Sequence, residues 1–265
     1  PRDLWPRLGD LGVLGMTVPP EYGGVDMGYL AHTVVLEEIS RASGSVGLSY
    51  GAHSNLCVNQ IQLNGSKSQR EKYLPKLITG EHLGALAMSE PGAGSDVVSM
   101  KLRAVKKGDH YVLNGNKMWI TNGCIDDEGT PADVVWVYAK TGTDDRGRVQ
   151  MSTFLVEAGM PGYSVGQKIF DKTGMRASNT AELVFDDCIV PADSIVGSPG
   201  ESLIHMMGNL ELERLTLAAM ALGIARRSLD EMNRYATDRT AFNSKIRDFG
   251  QMQRYIGESW AKYRA

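Results

Sequence analysis

The sequence predicts an α+β chain, helical at both ends and β-rich in the middle. Two observations carry this. Apolar residues recur at helical spacing up to about Gly84 and again after Pro199-Gly200, whereas residues between about Ala85 and Val196 fall into short β-rich runs. The eleven residues Leu215 to Ala225 also carry no charge, which predicts a helix buried on nearly all sides.

In chain order, Tyr22-Gly23-Gly24 marks a turn, and Leu30, Val34, Val35 and Ile39 place apolar groups on one helical stripe. Ser68 with Glu71 makes a capping-box pattern ahead of Tyr73, Leu74 and Leu77. The middle section offers runs at Tyr111–Leu113, Met118–Thr121, Val134–Tyr138, Thr153–Val156 and Leu183–Phe185. Asn114-Gly115 between the first two runs predicts a hairpin. A helix ending near Ala236 and another over about Gln251–Tyr263 complete the pattern, giving units 1–84, 85–196 and 197–265. This order suits several architectures, and Leu215–Ala225 needs cover from another subunit or from further helices of the same chain.

Composition narrows the function. The 265 residues are 42% apolar and 22% charged with a net charge of -3, so no large basic field exists for nucleic acid. No apolar run approaches the ~18 residues that span a bilayer. The first residues, PRDLWPRLGDLG, lack the apolar core of a signal peptide and the acid-poor character of a transit peptide, so any address label is read as removed or never present in this sequence. Cys57, Cys124 and Cys188 have no CxxC or Cys/His spacing and are read as free thiols; His53 and His205 show no metal spacing, and no metal site is expected.

Four segments could carry chemistry. Met88-Ser89-Glu90-Pro91-Gly92-Ala93-Gly94-Ser95-Asp96 is a connector whose glycines and serine would let backbone N–H groups approach an anion such as a pyrophosphate; by composition alone it reads more often as a plain connector. Trp119-Ile120-Thr121 could set an aromatic wall and a hydroxyl against a planar cofactor, or could be β core followed by a turn. In Leu210-Glu211-Leu212-Glu213-Arg214, Glu213 shares a face with Leu217, Met220 and Ile224, and a desolvated carboxylate suits a base that removes a carbon-bound proton. Glu211 competes, its face carrying Leu215, Ala218 and Leu222; an ion pair with Arg214 is the structural alternative. Arg239-Thr240-Ala241-Phe242 reads as a solvated cation with a packed aromatic or as a pyrophosphate clamp with a stacked base.

Together, and in this order along essentially the whole chain, these segments resemble the acyl-CoA dehydrogenase family. LAMSEPGAGS (Leu86 to Ser95) resembles its flavin loop, Trp119-Ile120-Thr121 its flavin-flanking strand, and Arg239 to Phe242 its segment that reaches the FAD of a neighbouring subunit. The resemblance implies a helical N-terminal domain, a middle β-barrel domain and a C-terminal helical bundle that this chain only begins. It implies FAD contacts at Leu86, Ala87, Met88, Ser89, Gly94, Ser95, Trp119, Ile120, Thr121, Arg239 and Phe242. It implies acyl-CoA contacts at Ser95, Glu211, Leu212, Glu213 and Arg214, with Glu213 as catalytic base because the family members most similar here carry it directly before an Arg.

Glu37 to Cys57 and the LELER segment most resemble members acting on short branched substrates, which implies conversion of isovaleryl-CoA to 3-methylcrotonyl-CoA in leucine breakdown. Also implied are a homo-oligomer, a tetramer, an electron-transferring flavoprotein as partner, and a mitochondrial matrix location, or the cytoplasm in a bacterium. A long-chain dehydrogenase, an oxidase, or a truncated scaffold unable to hold FAD are the alternatives. The chain departs from the family pattern at Asn243 after Phe242, at Gly250-Gln251, and in an expected surface insertion at Cys124–Thr130.

Overall fold

The computed structural model describes residues 2–265; Pro1, where the N-terminal unit is expected to begin, lies outside the described residues. Residues 2–78 are mainly helical: α1 (Leu4–Asp10), α2 (Gly28–Ala42), α3 (Gly44–Gly51), a π-helical segment (Ala52–Val58), α4 (Asn59–Asn64) and α5 (Lys67–Ile78). α2 forms where the spacing predicts, but its most buried residues are His32, Leu36 and Ser40, while Leu30 and Val34 are exposed. The polar His32 is accommodated because Ser54 takes its hydrogen bond at 2.8 Å. The capping box at α5 is Ser66 with Gln69, not Ser68 with Glu71. Glu71 pairs with Lys67 one turn back, and the Gln69 side chain also donates to the Asp193 and Ile195 carbonyls, tying the helix start to the sheet.

The middle section is an eight-stranded sheet of β1 (Gly84–Ala87), β2 (Arg103–Lys107), β3 (His110–Thr121), β4 (Val134–Thr143), β5 (Val149–Glu157), β6 (Tyr163–Lys168), β7 (Thr180–Pro191) and β8 (Ile195–Val196). The order is β6-β7-β3-β2-β4-β5-β8, with β1 parallel beside β4. The expected barrel does not close. β6 and β8 end the sheet unpaired with each other, because β8 is two residues long before the chain turns into a helix, and β2 and β4 meet through one bridge, Arg103 to Lys140. The predicted hairpin at Asn114-Gly115 is also absent: β3 runs straight through, and the register against β7 shifts between Leu113 and Gly115. Gly115 has φ +137 and a Cβ there would lie 2.9 Å from the Leu102 Cα, so its glycine serves a bulge at a close approach instead of a turn.

One apolar core lies within the curled sheet around Leu113, Val137, Phe154 and Leu183; a second joins the sheet to the helices through Trp136, Tyr138, Leu74, Leu77 and Met206. The chain ends with α6 (Ser202–Asp238), a short ribbon of β9 (Thr240–Ala241) and β10 (Ser244–Lys245), and α7 (Gly250–Arg264). α6 crosses α2 at close range, since a Cβ on Gly223 would lie 2.2 Å from the Glu37 carbonyl oxygen. Leu215–Ala225 is not buried all round: Thr216, Ala219, Met220 and Gly223 are covered, but Leu215 is 55% exposed and Leu217 and Leu222 are exposed too. Only one face of this stretch meets the N-terminal helices. No helix among the described residues is long and apolar enough to cross a membrane.

Candidate active site

Three predicted segments converge on one open cleft of about 520 Å³ between the sheet and α6. Leu86, Met88, Ser89, Gly94, Ser95, Trp119, Ile120, Thr121, Glu213 and Arg214 line it.

The connector after β1 is held by a buried ion pair that sequence reading missed. One oxygen of Glu90 accepts from the Lys117 ammonium at 3.0 Å and from the Leu102 N–H at 3.0 Å; the other accepts from the Lys101 N–H at 2.5 Å. Lys117 also donates to the Met88 carbonyl at 2.9 Å, so one ammonium joins the start of the connector to β3. Burial pulls the Lys117 ammonium below the usual lysine range, with the Glu90 charge and hydrogen bond opposing. Within the loop, the Gly94 and Ser95 N–H groups donate to no protein acceptor among the described residues.

β3 presents its aromatic through a second irregularity. Register against β7 is lost between Lys117 and Ile120, and Met118 N–H instead donates to the Ser89 carbonyl at 2.9 Å. Trp119 sits at φ +62, an unfavourable conformation for a bulky side chain, and its indole is 55% exposed on the cleft instead of packed in the sheet. The core-residue reading of Trp119 therefore fails.

Glu213 is decided between the two acids by its face. It is half-buried on the line Asn209, Glu213, Thr216, Met220, Gly223, the side of α6 that meets the N-terminal helices. Leu217, expected beside it, is exposed. Burial raises the Glu213 carboxyl above the ordinary carboxylate range, with the neighbouring Arg214 charge opposing. Glu211 is exposed, its predicted companions Leu215 and Leu222 are exposed as well, and neither Glu211 nor Leu212 lines the cleft.

Ala87 is buried in β1 beneath the cleft, with its backbone paired to Val137. Arg239 and Phe242 are elsewhere. Twenty-five residues of α6 separate Glu213 from Asp238, about 38 Å at 1.5 Å per residue, and Phe242 is 92% exposed at φ +52. Cleft residues missed from sequence are Ala52 and Leu56 of the π-helical segment, Val97, and Leu210. The extra residue per turn of a π segment is invisible to a 3.6-residue period.

No cluster of three metal-ligating side chains occurs among the described residues, so the donor set of the cleft is a carboxylate, a guanidinium, hydroxyls and free amides. The sequence matches "Acyl-CoA dehydrogenase, N-terminal domain" over residues 1–81, "middle domain" over 85–188 and "C-terminal domain" over 203–265. It is 55% identical to the mitochondrial isovaleryl-CoA dehydrogenase of Pongo abelii, over all of this chain and 61% of that protein. The fold superposes on butyryl-CoA dehydrogenase of Megasphaera elsdenii with TM-score 0.91 at 32% identity, covering 99% of this chain and 67% of that one. It superposes equally, TM-score 0.91 at 36% identity, on a Bacillus anthracis acyl-CoA dehydrogenase complexed with FAD, covering 99% of this chain and 44% of that one. The chain thus spans about three fifths of the length of the curated relative described, and with its three domain matches and the shared fold it belongs to the acyl-CoA dehydrogenase family.

Proposed function

We propose that the protein containing this chain dehydrogenates a short branched acyl-CoA, isovaleryl-CoA to 3-methylcrotonyl-CoA, in leucine catabolism. The observation that carries the reading is Glu213: a half-buried carboxylate with a raised pKa that lines the same cleft as Trp119, Thr121 and the Gly94-Ser95 loop. Kinship with the Pongo abelii enzyme supports the choice of acyl group.

The residues fit FAD. An exposed indole held at a strained backbone position offers a face for a planar ring, and the Gly94 and Ser95 amides offer donors to an anion such as a pyrophosphate. FAD, when bound, supplies the hydride acceptor for the substrate β-carbon. Leu86 to Ser89, Gly94, Ser95 and Trp119 to Thr121 would hold it, and Ser95 and Arg214 would contact acyl-CoA, with Glu211 and Leu212 flanking on the same turn of α6. Glu213 takes the α-proton at its carboxylate. Apolar walls from Leu56, Leu86, Val97 and Leu210 limit water around that carboxylate, which keeps its basicity high.

Arg239 and Phe242 lie too far along α6 to serve the cleft of their own chain, which supports a homo-oligomer, read as a tetramer, in which they reach a neighbour's cofactor. An electron-transferring flavoprotein is the proposed electron acceptor, the mitochondrial matrix the proposed location, and 1–84, 85–196 and 197–265 the proposed units.

The test is anaerobic bleaching of the flavin by isovaleryl-CoA in the complete protein. Glu213→Gln keeps the shape but removes the proton acceptor, so bleaching should slow by about 10² to 10⁴, equivalent to about 3 to 5 kcal/mol, with ligand binding retained. Glu211→Gln, exposed and outside the cleft, should bleach within about twofold of wild type. The wild-type acid limb should lie above the ordinary carboxylate range, because the ionised form is the active one and its pKa is raised. Wild-type bleaching by Glu213→Gln would end the assignment.

A further inference from the structure

The line of α6 that carries Glu213 is braced by side-chain hydrogen bonds from the helix opposite. Three residues after Glu213, the Thr216 hydroxyl donates to the Glu213 carbonyl at 2.9 Å and accepts from the Asn55 amide at 3.3 Å. Four residues before it, the Asn209 side-chain oxygen Oδ1 accepts from the Gln60 side-chain amide at 2.6 Å. Gln60 is itself held, since its side-chain oxygen accepts from the Asn64 amide at 3.0 Å. Asn55, Gln60, Asn209 and Thr216 are all buried.

Packing alone does not call for this. The same face continues as Met220, packed in an apolar cluster, and Gly223, at close approach to the α2 backbone, and four buried polar groups where aliphatic side chains would fit must be compensated by directional bonds. What directional bonds add is a fixed rotation of α6 about its own axis. A carboxylate about 6 Å from a helix axis moves about 1 Å for a rotation of about 10°. A misplacement of that size can cost about a hundredfold in rate. The braces sit one turn to each side of Glu213, where they oppose such a rotation most directly. The π-helical segment supplies them: Asn55 lies within it and Gln60 just beyond, while Ala52 and Leu56 of the same segment line the cleft.

We infer that Asn55 with Thr216, and Gln60 with Asn209, are positioning residues that fix the rotation of α6 and so the place of the Glu213 carboxylate. This rests on the reading of Glu213 as the base. The test uses the complete, FAD-loaded protein with Thr216→Val, which keeps volume and branching but removes the hydroxyl, and Thr216→Ser, which restores it. Thr216→Val should slow anaerobic bleaching at saturating isovaleryl-CoA by about tenfold to a hundredfold with KM within about twofold. Thr216→Ser should stay within about twofold of wild type. Without substrate, amide hydrogen exchange over residues 210–217 should quicken in Thr216→Val, not in Thr216→Ser, while the urea midpoint falls only modestly in either.

Thr216→Val with wild-type exchange and rate overturns the inference. So does Thr216→Ser as slow as Thr216→Val, because the methyl group and not the hydroxyl would then be responsible. The exchange comparison decides the brace without reference to catalysis, so a failure of Glu213→Gln to slow bleaching removes the base assignment and is distinguishable from a failure of the brace.

Discussion

His53 should make this fold sensitive to mild acid. Its ring is buried, Nδ1 accepts the Gly84 N–H at 2.9 Å, and Nε2 donates to the Leu77 carbonyl at 2.9 Å. Those two partners require the neutral ring protonated on Nε2, and adding a proton to Nδ1 breaks the bond to β1. Burial accordingly lowers the pKa from 6.5 to about 4. The folded pKa is below the unfolded one, so the stabilisation is complete above about 6.5 and is lost as the unfolded chain gains the proton, down to about 4. The whole difference is worth about 3 kcal/mol, and about 2 kcal/mol of it is gone at pH 5.

His32 acts the same way. Its Nε2 donates to the Ser54 hydroxyl, which itself donates to the Tyr50 carbonyl, and Nδ1 is buried without a partner among the described residues. Its pKa is likewise lowered to about 4 by burial. Together the pair should remove about 4 kcal/mol between pH 7 and pH 5, a large part of the 5 to 15 kcal/mol typical of a domain. The assay is urea unfolding of the complete protein and His53→Gln at pH 7 and pH 5. Glutamine offers one donor and one acceptor but does not titrate in this range, so the variant should lose about 2 kcal/mol less than the parent over that interval. Equal losses in the two proteins would show that the protonation of His53 is not linked to folding.

Lys117 and Arg239 each give a further outcome. Lys117→Met strands the buried Glu90 carboxylate, so unfolding should become easier by about 3 to 5 kcal/mol and the connector at 89–95 should become cleavable by protease; a loss below about 1 kcal/mol would mean that water already reaches Glu90. Arg239→Ala should hasten flavin loss on dilution of the assembled protein while leaving a single chain's cleft untouched, and equal flavin loss in variant and wild type would rule out the cross-subunit role.

Local chemistry was the legible part of this site. The connector, the Trp119 segment and the Glu213 turn are each visible within a few residues, although each left a structural alternative open until the family resemblance singled it out, and they do converge on one cleft. What joins them is not local. Lys117 lies between Asn116 and Met118 in a strand, where alternation gives no reason to expect full burial, and its partner Glu90 is 27 residues away. Asn55 and Thr216 are separated by 161 residues, and neither side chain alone implies the other.

The misread turn has a similar cause. Asn-Gly suits both a hairpin and a bulge, and Leu102, whose backbone approaches Gly115, decides between them. The barrel failed because closure depends on whether two distant edges meet, a property of accumulated twist and strand length that no single run of residues encodes.

The crossing of α2 by α6 also sets a timetable for biosynthesis. Met220 and Ile224 complete the cluster of Leu8, Leu14, Leu36 and Tyr50, and Thr216 and Asn209 provide the partners for Asn55 and Gln60. All of these early residues leave the ribosome more than a hundred positions before α6 does. At about 5 to 20 residues per second that is a wait of roughly 7 to 40 seconds, during which an apolar face studded with amides stays open. Stalled nascent chains ending near residue 200 should be cut within residues 28–58 by added protease, and chains extended well past Ile224 should resist. Substitutions in α6 that spare chemistry would then show first as poor yield and chaperone retention, before any defect in the finished protein.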